Sequence, residues 1–310
     1  MPSYKPQIIT RRQARKQINT LGISLMFYIL LTQLLWHGSS LLQQYYPGIF
    51  LGYDPELVTM LFTMISWILV AAIPFSISAS RLDLDLKDYL VKPKISLSKL
   101  ISLTCVGVGI MLAVTAIPSL FYMLVRTQSA PYEFVGIFTT KNNILKNVVY
   151  FILMVLVQPV CDEIIFRGII QRQLGHYGRY FGVLASALLY MISRPTLTEA
   201  LPGFFLGWYL ALVTLRYHSI RPAIQIHIFI SFFTWLINIT PQSLVLIPTV
   251  MIIIIYIIAG FSLFNGTVNL GIARSGASNG KLWKILLTSP TIIICMVLFL
   301  TGVILSFTAL

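Results

Sequence analysis

Apolar runs of about twenty residues recur along this chain, and each is long enough to cross roughly 30 Å of hydrocarbon. They fall at about 21–42, 57–77, 100–125, 144–173, 180–193, 201–215, 222–237, 244–264 and 285–307. A 310-residue sequence that is 57% hydrophobic and 10% charged, with mean hydropathy +0.85, lies far outside soluble composition. Alternating ten-residue strands of the kind that build a membrane barrel are not seen. The expected fold is therefore all-α: a polytopic membrane helix bundle of eight or nine transmembrane helices. We expect three parts: N-terminal helices over 1–143, a functional core over 144–240, and C-terminal helices over 241–310.

The net charge of +13 would suit a nucleic-acid partner if it were clustered, but it follows the loops. Five basic residues precede the first run, five lie in 81–99, three in 167–179, two at Arg216 and Arg221, and three in 274–284. Only four occupy the alternate side: Arg126, Lys141, Lys146 and Arg194. That asymmetry satisfies the positive-inside rule with a cytoplasmic N-terminus. The partners expected are membrane lipid and a membrane-embedded or lipidated peptide or protein, with no nucleic acid. The basic N-terminus resembles the charged region of a signal peptide, but a long apolar segment without a cleavage site follows it, so the first span is read as uncleaved.

Only nine acids occur, and seven lie in or beside loops; Asp162 and Glu163 sit instead within the fourth apolar run. An ionisable group inside a membrane helix is costly enough to mark a functional site by default. On a helix Glu163 and Arg167 share a face and can pair, whereas Asp162 is turned about 100° away and needs other partners. His227 lies about 9 Å inside the seventh run, with Ser231 one turn further on the same face. An acid and an imidazole at one depth can activate a water for attack on a peptide carbonyl. Cys105, Cys161 and Cys295 stand at no metal or disulfide spacing and read as small core residues. His37 reads as an interfacial or packed histidine. No cofactor and no metal is expected, because the four histidines and three cysteines are scattered.

Asp162-Glu163-Ile164-Ile165-Phe166-Arg167-Gly168 resembles the Glu-Glu-x-x-Phe-Arg-Gly motif of the CAAX protease and bacteriocin-processing family, which includes the type II CAAX prenyl endopeptidases. Residues 184–194 fall where that family has its Phe-x-x-x-His helix. Pro202-Gly203-Phe204-Phe205-Leu206-Gly207, the turn over 217–222, and His227 with Ser231 resemble its third region, ending in His-x-x-x-Asn. Order and spacing agree over about 147–237. The resemblance implies an intramembrane endopeptidase open to the cytoplasmic leaflet, and the family's many bacterial members suggest a bacterial plasma membrane. It assigns water activation to Asp162, support to Glu163 and Arg167, and oxyanion stabilisation to His227 with Ser231.

Three departures weaken that assignment. Asp162 is one methylene shorter than glutamate, and a displacement of about 1 Å can cost about 100-fold in rate. Arg194 occupies the second-region histidine position and cannot serve as a general base, though it can pair with Asp162. Ser231 replaces an amide donor by a single hydroxyl. Tyr190 for phenylalanine is the mild change. The sequence leaves open an atypical endopeptidase, a pseudoprotease that scaffolds or regulates another membrane protein with Asp162 and Arg194 as a structural pair, and an unrelated transporter. The transporter lacks support from any inverted repeat or paired broken helices.

Overall fold

A computed structural model describes residues 10–46, 52–125, 144–194, 196–268 and 280–308, apart from a few side chains within them. The His37 side chain lies outside the described set. Among the described residues, ten helices longer than one turn cover the apolar runs. They are α1 (Arg11–Tyr45), α2 (Pro55–Arg81), α3 (Leu97–Val125), α4 (Ile144–Gly175), α5 (Arg179–Ile192), α6 (Leu197–Tyr217), α7 (Arg221–Ile239), α8 (Leu246–Phe264), α9 (Gly280–Leu287) and α10 (Pro290–Thr308). Seven are long and apolar enough to cross a membrane, or eight if the bent pair α9–α10 is one span. The chain is an integral membrane protein with the expected all-α bundle.

Two helices differ in form from simple spans. The run expected over 285–307 breaks into α9 and α10, which meet at 65°. Pro290 is the cause: it disfavours helical geometry at Ser289 and supplies no amide hydrogen, but suits the first turn of a new helix. The fifth run forms α5, whose 14 residues span only about 21 Å. Its C-terminal end, and the turn into α6, therefore stop inside the bundle.

Local chemistry sets the helix ends. Asp54 caps α2 by accepting from the amides of Glu56 and Leu57, with Pro55 following at the first helical position. Lys146 of α4 reaches the same cap, 2.8 Å from Asp54, and also binds Glu56. This contact holds the Asp54 carboxyl below the usual aspartate range. Thr196 caps α6 by accepting from the Glu199 amide.

Two large apolar clusters, with a small third around Met60, Val149 and Tyr150, make up the described interior. One joins α1, α2, the second half of α4, α5, α9 and α10, around Tyr28, Phe75, Phe166 and Phe181. The other joins α3, α6, α7 and α8, around Leu103, Leu210 and Ile226. Glycine permits a close backbone approach within the first: a Cβ on Gly182 of α5 would stand 2.6 Å from the Gly175 backbone nitrogen of α4. The charged residues lie along α4 and α5 where the two clusters meet.

Candidate functional site

The middle of α4 is not a uniform α-helix. Residues Ile152–Val157 and Ile164–Gln171 are wound as π-helix on either side of the α-helical turns Gln158–Glu163 that carry the acids. Such insertions re-aim side chains and favour functional sites. Asp162 and Glu163 leave this segment in different directions, as their spacing predicts, and address different neighbours.

Asp162 is fully enclosed, with 0% exposure. Arg194 Nη2 donates to its Oδ2 at 2.7 Å, the Tyr190 hydroxyl donates to the same oxygen at 3.1 Å, and the Tyr28 hydroxyl donates to Oδ1 at 3.1 Å. Three donors from α1, α5 and the end of α5 thus converge on one carboxylate. A buried ion pair is tolerated only when such additional bonds satisfy its remaining capacity.

Glu163, also at 0% exposure, lies 3.2 Å from Arg167 Nε through Oε2 and 2.9 Å from His227 Nδ1 through Oε1. Because a carboxylate only accepts, Nδ1 carries the proton of this bond, leaving Nε2 as the imidazole's other functional nitrogen. Arg167 is the largest fully buried side chain. Its guanidinium stands 5.2 Å from the Tyr190 ring centre, while that of Arg194 stands at 4.1 Å. Tyr190 therefore links both ion pairs, and Phe166 packs edge-on against it.

The glycines of the Pro202–Gly207 segment explain how two arginines fit. A Cβ on Gly203 would meet the Arg194 stem at 3.2 Å, and one on Gly207 the Tyr190 ring at 2.9 Å. One turn apart on α6, they clear a face for α5 to lie against.

A cavity of about 190 Å³ adjoins these pairs. Arg194, Tyr190, His227 and Ser231 line it, but neither Asp162 nor Glu163 does. From the ion pairs its wall continues along Gln158, Met154 and Tyr150 of α4, Thr234 and Asn238 of α7, and Thr32 of α1. This direction leads away from the helix ends bearing Arg172, Arg179, Arg216 and Arg221. The resemblance implies access from the cytoplasmic leaflet; the cavity itself runs away from the basic helix ends.

The six residues proposed from the motifs for the site all lie in or beside this cluster. Asp162, Glu163, Arg167, Arg194 and His227 are directly bonded into it, and Ser231 borders the cavity without a hydrogen bond to any described residue. Three features were missed. Tyr28 comes from α1, the Tyr190 hydroxyl is a ligand of Asp162 where phenylalanine has none, and Glu199, read as a loop acid, lines the cavity. The short α5 was the available signal for Glu199, since it brings the following turn to the depth of the ion pairs.

Paired carboxylates, arginines and an imidazole thus meet inside a polytopic helical membrane bundle. Residues 144–233 match the family described as type II CAAX prenyl endopeptidase Rce1-like, over the same stretch that carries the three motif regions. No curated protein and no solved structure matches the chain.

Proposed function

We propose that the chain is a pseudoprotease: an endopeptidase-like membrane core that binds a membrane-embedded or lipidated peptide and does not hydrolyse it. One observation carries this reading. The carboxylate in the water-activating position has no exposed surface and is bonded to Arg194, Tyr190 and Tyr28. A general base must reach the proton it abstracts, directly or through one water. Asp162 does not border the cavity in which a substrate and water would meet. Arg194, in the place of a titrating histidine, keeps its charge at all ordinary pH values. In this reading Glu163 and Arg167 support the bundle, His227 and Ser231 present polar groups to the bound peptide, and the basic helix ends face the cytoplasm.

The Glu163–His227 contact favours a second reading. A carboxylate that holds Nδ1–H and leaves Nε2 toward a cavity has the arrangement of a base and its orienting acid. Weak hydrolysis would then run through His227 rather than Asp162.

The two readings separate in one assay. The full chain is reconstituted in vesicles with membrane-spanning and prenylated peptides, and the peptides are recovered for mass spectrometry after long incubation. Pseudoprotease function predicts intact peptides with wild-type protein and with His227→Ala alike. Fragments formed by wild type and lost in His227→Ala would overturn it in favour of the dyad.

A further inference from the structure

The charges around the cavity do not balance. Asp162 is matched by Arg194, and Glu163 by Arg167 with His227. Glu199 is the third acid, and its carboxylate makes no hydrogen bond or ion pair with any described residue. Arg194 is the attractive charge acting on it and Asp162 the repulsive one, but the Arg194 guanidinium spends its Nη2 on Asp162 at 2.7 Å. Glu199 is only partly covered, and what it exposes borders the cavity. It stands in the first turn of α6, where the helix N-terminus favours negative charge. A carboxylate removed from bulk water and left without a cation is costly unless a ligand supplies one.

The rest of the wall suits a cation as well. Trp67, Trp235 and Tyr150 line the same cavity, and aromatic faces attract ammonium groups most strongly where water is excluded. Backbone and side-chain contacts hold this wall in place: Trp235 packs edge-on with Phe151 at 4.9 Å between centroids.

We propose that the cavity receives the ammonium group of a lysine side chain in a membrane-embedded peptide, with Glu199 as its counter-ion and the Trp67, Trp235 and Tyr150 rings as its sleeve. This rests on the reading of the core as a peptide-binding site and adds which peptides it selects. One acid beside three aromatic rings in a single cavity suits one ammonium group. The cavity's course away from the basic helix ends places the selected lysine in the half of the bilayer opposite those ends.

The test uses the full chain in phosphatidylcholine nanodiscs and two fluorescent transmembrane peptides. These differ only in carrying lysine or norleucine at one position, stepped through the span. At the matching depth the lysine peptide is expected to bind at least tenfold more tightly than its norleucine counterpart. Glu199→Gln is expected to abolish that preference, bringing the two peptides to equal affinity. The empty Glu199→Gln protein should melt no lower than wild type, because the change removes an unpaired charge. Trp235→Leu, which alters no charge, should reduce the preference threefold or more.

Equal binding of the two peptides at every depth would overturn the proposal, as would a lysine preference that survives Glu199→Gln. Loss of the preference on adding phosphatidylethanolamine to the nanodiscs would identify an aminolipid as the occupant instead. Mass spectrometry of the recovered peptide keeps the two readings apart. Cleavage refutes the pseudoprotease and not the charge selection, whereas intact peptide without selection refutes only the latter.

Discussion

Asp162→Ala is expected to lower stability by about 3–5 kcal/mol, the usual cost of removing one partner from a buried ion pair. Arg194 is only 8% exposed, so its guanidinium stays largely out of water once its carboxylate is gone. The loss is larger than the value of the ion pair itself, because the Tyr28 and Tyr190 hydroxyls are also left without their acceptor. Denaturant unfolding in mild detergent, followed by circular dichroism, measures it. Ser231→Ala is the matched control: it borders the same cavity, bonds no described residue, and should shift stability by less than about 0.5 kcal/mol. If Asp162→Ala proved as mild as that control, the carboxylate would be solvated and available for chemistry.

Arg167→Ala is expected to be as damaging, again about 3–5 kcal/mol, by a different route. Among the described residues it is the one arginine paired with Glu163, and without it that carboxylate keeps only His227 Nδ1 as a described partner. The side chain is also the largest fully buried one, so its apolar stem leaves a void against Tyr190 and α6. Arg167→Lys is expected to recover only part of the loss: the charge returns, but the planar group over the Tyr190 ring does not. The same unfolding measurement checks both variants. Full rescue by lysine would mean that charge alone matters and that the stacking on Tyr190 is incidental.

Much of this arrangement could be read before any coordinates, because it rests on period and composition. The helices follow from apolar runs, the Glu163–Arg167 contact from a four-residue spacing, and the separate aims of Asp162 and Glu163 from the 100° step. Pairing of Asp162 with Arg194 was legible only through the motif resemblance, which set a cation where a histidine belongs. Tyr28 was not legible at all: it reaches Asp162 across 134 residues of chain, and nothing in α1 distinguishes that hydroxyl from any other. Glu199 was hidden by its neighbours, since Arg194-Pro195-Thr196 reads as an exposed turn. The π-helical windings of α4 leave no pattern in a run that is apolar almost throughout. Tertiary packing decides these features.

A double-mutant cycle on Asp162→Asn and Arg194→Met tests most directly whether Asp162 is held in a closed ion pair. If the two side chains are bound to each other in a dry interior, the double variant should be about 2–3 kcal/mol more stable than the sum of the single losses predicts. Additivity within about 0.5 kcal/mol would contradict the account, because it would mean that Asp162 does not depend on Arg194 and is free to work as an acid or a base.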